Sequence, residues 1–138
     1  MIGIVLVTHG DFGVGLIEAA QMILGDVKAC KSIGIDVSKP MDVILEELKD
    51  TVQALDAGKG VLILTDMFGG TPTNLSLSLL GVKKLEVITG VNLPMLLKAL
   101  SSRELPLEKL AAEVKSAGRQ GIVVAGEVLK RPVSNQKG

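Results

Sequence analysis

Ile2-Gly3-Ile4-Val5-Leu6-Val7 is an apolar run that stops at Thr8-His9-Gly10, and a second run, Val61-Leu62-Ile63-Leu64-Thr65, stops at Asp66. Apolar, β-branched runs without alternation read as strands buried on both faces, the pattern of a parallel sheet under helices. Leu85-Glu86-Val87-Ile88-Thr89 reads as a further strand. Residues 29–35 are a weaker candidate, interrupted by polar residues and Gly34, which places them nearer the sheet edge.

Helical patterns fill the intervals. Gly15 to Leu24 carries Leu16, Ile17, Ala20, Ile23 and Leu24 on one stripe, with Gly25 as a C-terminal cap. After Ser38, Pro40 falls in the first turn of a helix striped by Ile44, Leu48, Val52 and Leu55 and ended at Gly58. Pro72 opens a third helix to about Leu80, Pro94 a fourth to about Ser101, and a fifth covers about Leu107 to Ala117. The alternation predicts an α/β fold with a doubly wound, mostly parallel open sheet flanked by helices. Gly121-Ile-Val-Val-Ala-Gly-Glu-Val-Leu129 reads as a last strand, which either closes its own sheet's edge or adds to a neighbouring subunit's sheet. One domain over 1–129 and a polar tail over 130–138 are expected.

Composition narrows the function. The 138 residues are 47% hydrophobic but only 1% aromatic, the two rings being Phe12 and Phe68. A core of Val, Ile, Leu, Met and Ala does not call for them, so both read as an exposed apolar rim for docking partners. Fifteen basic and fifteen acidic residues give zero formal net charge, and Trp and Tyr are absent, which argues against a nucleic-acid surface. The single cysteine, Cys30, excludes an intrachain disulfide and a cysteine-rich zinc site, and reads as a small hydrophobe. The N-terminal apolar run is too short for a signal core or a membrane span, so a cytoplasmic protein is expected.

His9 is the only histidine. A lone imidazole is a poor metal site but a competent covalent carrier, because its nitrogens are nucleophilic near neutral pH. If strands one and three are neighbours, His9 and Asp66 meet at the sheet's switch point. Asp66 then accepts from Nδ1–H and leaves Nε2 free. In the loop after Asp66, Gly69 and Gly70 allow close backbone approach, Pro72 starts a helix, and Thr71 adds a hydroxyl, so an anion-sized nest is expected beside the ring. No metal and no cofactor is called for. Gly10-Asp-Phe-Gly-Val-Gly15 matches neither the phosphate-loop nor the dinucleotide fingerprint.

Each residue also has a plainer role. Asp66 can cap a turn, Asn92 before Leu-Pro can cap a helix, and Asp11 can be a solvated loop charge. A flavodoxin-like domain that binds a small anion without covalent chemistry would place His9 in the interior, away from Gly69-Gly70.

Val7-Thr-His-Gly10, Asp66-Met-Phe-Gly-Gly-Thr-Pro-Thr-Asn74 and Val87-Ile-Thr-Gly-Val-Asn-Leu-Pro-Met-Leu96, in this order, resemble the IIA component of the mannose family of the bacterial phosphoenolpyruvate-dependent sugar phosphotransferase system (PTS EIIA type-4 domain). Gly118-Arg-Gln-Gly121 adds to the likeness. The resemblance implies a cytoplasmic homodimer that exchanges a C-terminal strand, here residues 121–129. It implies a phosphotransferase in which His9 accepts a phosphoryl group from the phosphocarrier protein HPr and passes it to a IIB component, which is expected to be a separate protein or absent. The membrane IIC and IID components would be reached only indirectly. Asp66 would orient the ring, and Gly69, Gly70 and Thr71 would hold the phosphoryl oxygens. The alternative is a stand-alone regulatory phosphohistidine module that reports phosphorylation state without sugar transport.

Overall fold

The computed structural model describes residues 1–81 and 84–130. Its elements run β1 (Gly3–His9), α1 (Phe12–Leu24), β2 (Cys30–Ile35), α2 (Met41–Leu55), β3 (Val61–Thr65), α3 (Thr71–Leu77), β4 (Leu85–Thr89), α4 (Leu93–Ser101), α5 (Leu107–Gln120) and α6 (Ala125–Lys130). The sheet is four-stranded and all-parallel in the order β2-β1-β3-β4. β1 and β3 lie in the centre, as their unbroken apolar runs require, and β2 is an edge strand.

Alternate residues of the central strands feed two cores. Ile4, Leu6, Leu62 and Leu64 pack with α1, α4 and α5, through Ala20, Leu96, Ala99, Leu110 and Val114. Val5, Val7 and Ile63 face the other way, against Ile44, Leu48 and Val52 of α2 and Leu79 beyond α3. The predicted stripe of α2 is the buried one, with Leu55 partly covered. The chain moves from β1 to β2 in one direction and from β2 through β3 to β4 in the other, so the strand order reverses between β1 and β3. That reversal opens a crevice at the carboxyl ends of these two strands.

Arg103 secures the opposite end. It is 7% exposed, and its Nε donates to the Ile2 carbonyl at 2.8 Å and its Nη2 to the Ala29 carbonyl at 2.6 Å. Nη1 donates to the Lys28 carbonyl. Ala29 has a left-handed backbone, φ 48°, held by this bond and by the Ile4 N–H on the same carbonyl. Arg103→Met removes three charge-assisted donors from covered carbonyls and is expected to lower stability by about 3 kcal/mol, read from urea unfolding. A loss under about 0.5 kcal/mol would show that these bonds are replaced by water. Cys30 packs beside this point as a partly buried hydrophobe. Burial pushes its thiol up to about 11, against a smaller opposing effect of Arg103.

Three boundaries differ from expectation. α1 begins at Phe12 rather than Gly15, because the Thr8 hydroxyl accepts the Gly13 N–H at 2.9 Å and caps the helix from outside it. α3 ends at Leu77, and the chain continues to Leu80 in tight turns. The third difference is a correction: residues 121–129 do not form a strand. Gly121 ends α5, residues 122–124 are irregular, and α6 follows. A strand needs an edge to pair with, and none of the four strands bonds to these residues. Ala125 to Lys130 therefore bonds within itself, Val128 N–H to the Val124 carbonyl, with Ala, Glu, Leu and Lys favouring the helix. The C-terminal strand that was expected to be exchanged between subunits is thus absent from the described residues. Gly118 and Gly121 act instead in helix packing. A side chain at 118 would strike Met95, and one at 121 would lie 2.6 Å from Pro94. The expected tail lies, beyond Lys130, outside the described residues.

Candidate functional site

His9 is the last residue of β1, and Asp66 follows β3 directly. Parallel pairing sets Val7 opposite Thr65, so the two strand ends bring the imidazole and the carboxylate together. The His9 backbone N–H donates to Asp66 Oδ2 at 2.8 Å, and Nδ1 lies 2.7 Å from the same oxygen. An ionised carboxylate only accepts, so its position assigns the ring proton to Nδ1 and leaves the Nε2 lone pair free.

Burial alone raises the Asp66 pKa. The backbone and ring donors of His9 outweigh it and hold the carboxyl below its usual value. The Asp66 side chain is 14% exposed and that of His9 55%. Asp66 Oδ1 is buried without a partner.

Gly70 is the other wall. A Cβ built there would lie 3.2 Å from His9 Cε1 and 3.6 Å from Nε2, so the missing side chain keeps the Nε2 edge of the ring open. Gly69 has φ 91°, a conformation glycine adopts at no steric cost. Gly70 precedes α3, whose first-turn amides have no acceptor within the helix. Thr71 is half-buried at the start of that turn. An interior His9 far from Gly69-Gly70 is therefore not what the fold holds.

Of the remaining candidates, Phe12 and Phe68 are exposed at 49% and 75%, and Met67 between them in the chain is also exposed. Asn92 stands apart from the site: its Oδ1 accepts the Met95 N–H and its Nδ2 donates to the Gly118 carbonyl, so it caps α4. Asp11 precedes α1 without a side-chain cap bond and faces solvent. A groove lined by Met1, Leu24, Val27, Leu100 and Arg103 lies at the far end of the sheet. His9, with more than half of its side chain exposed, stands on open surface.

Thr65 and Thr73 were not singled out from the sequence. Both are fully buried, with their hydroxyl oxygens 2.6 Å apart. Thr73 also donates to the Met67 carbonyl. The threonine in Thr-Pro-Thr-Asn was the only available signal, and it resembles that of any residue early in a helix.

A doubly wound α/β domain with a carboxylate-held imidazole on an open strand end is a recognisable class of protein. Residues 3–116 match the family described as PTS system fructose IIA component, and the chain belongs to that family. It is 32% identical over 133 residues to the fructose-specific EIIA component of Bacillus subtilis, covering 95% of this chain and 91% of that one. It is 34% identical over 124 residues to the mannose-specific EIIAB component of Escherichia coli K12, covering 88% of this chain but 38% of that protein's length. A crystal structure of the phosphotransferase component EIIA from Streptococcus agalactiae superposes with a TM-score of 0.84 at 31% identity, over 92% of this chain and 99% of that one. No helix among the described residues is long and apolar enough to cross a membrane.

Proposed function

We propose that this chain is a phosphoryl carrier that accepts the group on His9 Nε2 from phospho-HPr and passes it to a IIB component. The observation that carries this reading is the pair of bonds from His9 to Asp66 Oδ2, which fixes the ring and leaves Nε2 unprotonated beside Gly70. In the transfer the Nε2 lone pair attacks phosphorus in line, the bond from phosphorus to the donor's nitrogen breaks, and that nitrogen keeps the electron pair. The amides of Gly69 and Gly70 and the hydroxyl of Thr71 hold the equatorial oxygens, and Asp66 balances the positive charge that spreads into the ring. Little else is needed, because such transfers are governed by positioning and electrostatics.

Phe12 and Phe68 form the apolar rim against which HPr and IIB dock in turn. The exposed Ile122, Val123, Val124 and Leu129 supply a covering face for a homodimer. The residues to 129 act as one domain in the cytoplasm, with the IIC and IID membrane components served through IIB. The regulatory module is not favoured, since the relatives matched over most of this chain are named as phosphotransferase components.

The test is incubation with enzyme I, HPr and radiolabelled phosphoenolpyruvate. One acid-labile phosphoryl group per chain is expected, together with its release to a cognate IIB. A chain that takes no label in the presence of labelled HPr is not a carrier.

A further inference from the structure

Thr73 has one hydroxyl proton, and it is donated to the Met67 carbonyl. The contact between the Thr65 and Thr73 hydroxyls therefore has one possible direction: Thr65 donates to Thr73. The result is a directed chain, Thr65 to Thr73 to the carbonyl of Met67, with both hydroxyls removed from water.

Asp66 lies between the chain's two ends, after Thr65 and before Met67. The clasp thus closes on the residue whose Oδ2 holds the His9 ring. Its middle member sits in the first turn of α3, where the Asn74 N–H bonds to the Gly70 carbonyl, so the same contact ties the Gly70 wall to the Asp66 segment. Asp66 Oδ1 has no partner, and the carboxylate's placement depends on His9 and on the backbone beneath it.

We propose that Thr73 is a positioning residue for phosphoryl transfer, acting through the Met67 carbonyl to hold Asp66 and Gly70 in register around His9. The inference rests on His9 being the carrier. Removing the Thr73 hydroxyl leaves the Thr65 proton unpaired in the interior and the part-buried Met67 carbonyl without its donor, and the loop must move to satisfy them. Removing the Thr65 hydroxyl leaves the bond from Thr73 to Met67 intact, so the two substitutions are unequal.

The experiment compares transfer from phospho-HPr, at saturating phospho-HPr, for wild type, Thr73→Val, Thr73→Ser and Thr65→Val, with the His9 ring nitrogens followed by 15N NMR. Thr73→Val is expected to be slower by about tenfold or more, because sub-ångström misplacement of reacting groups is costly. It should also lose the single Nδ1–H tautomer. Thr73→Ser should restore both, and Thr65→Val should stay within about threefold of wild type. Folded Thr73→Val that transfers at the wild-type rate overturns the proposal, as does slow transfer with an unchanged ring spectrum. A Thr73→Ser as slow as Thr73→Val, or a Thr65→Val equally slow, overturns the directed clasp. Thr73→Ala replaces Thr73→Val should the latter not fold, with the same expected loss. Wild type that takes no label refutes the carrier reading itself, a separate outcome.

Discussion

His9→Gln is expected to take up no measurable phosphoryl group from phospho-HPr, a fall of at least about 10⁴-fold, as is usual when the nucleophile itself is lost. Glutamine is similar in reach, but its amide nitrogen has no lone pair available for attack on phosphorus. The fold should survive. His9 is more than half exposed, and its backbone N–H, which this substitution retains, already supplies Asp66 Oδ2 with a donor. Circular dichroism and unfolding midpoints should match wild type while radiolabel transfer is absent. Undiminished labelling of His9→Gln would move the phosphoryl group to another residue and dismiss His9.

Asp66→Asn should slow transfer by roughly two to four orders of magnitude, the range seen when a group that sets an imidazole's tautomer and charge is neutralised. Both placements of the new amide are unfavourable. With its nitrogen toward His9, it faces the backbone N–H donor and forces the ring proton onto Nε2, blocking attack. With its oxygen toward His9, the nitrogen takes the position of Oδ1, which is buried and without a partner, and two protons are left unsatisfied. Neither placement restores the negative charge. A transfer rate within threefold of wild type would remove Asp66 from the mechanism.

The same carboxylate has a signature in stability. Its pKa is lower in the folded chain than its ordinary value, so its contribution is present above the usual carboxylate range. That contribution is lost as pH falls through the depressed folded value. Wild type should accordingly lose stability on acidification in that window, and Asp66→Asn should lack this component of the pH profile. The measurement is urea unfolding between neutral pH and about pH 3.

The centre of the fold was legible because β1 and β3 run apolar without alternation, from Ile4 to Val7 and from Val61 to Leu64, and only a strand covered on both faces asks for that. From the placement of β1 beside β3 the meeting of His9 and Asp66 followed directly, since adjacent parallel strands end side by side. Asn92 was read correctly as a cap because Asn before Leu-Pro has a local use. Residues 121–129 misled for the opposite reason. Ile122-Val123-Val124 has strand-like side chains, but a strand exists only against an edge, and the sequence says nothing of which edge lies within reach. Thr65 and Thr73 were invisible because their bond depends on how a loop folds back over itself. Arg103, in Ser-Ser-Arg-Glu, has no local signal of the three distant carbonyls that converge on it.

Arg103 and His9 occupy opposite ends of one strand, and this separation bears on how such a domain changes over time. The guanidinium grips β1 and the turn before β2 at the end where no partner is called to dock. The end with the imidazole is held from beneath by the bonds of Thr65 and Thr73 and shows outward a ring, a short loop and two exposed phenyl groups. A carrier has to fit successive partners and release each of them, so its contact surface must stay free to vary. With the grip at the far end, the exposed Phe12 and Phe68, the docking rim proposed above, can be replaced without loosening the sheet. Durability and partner choice can then be altered independently, which makes the chain a tractable scaffold for rewiring phosphoryl traffic.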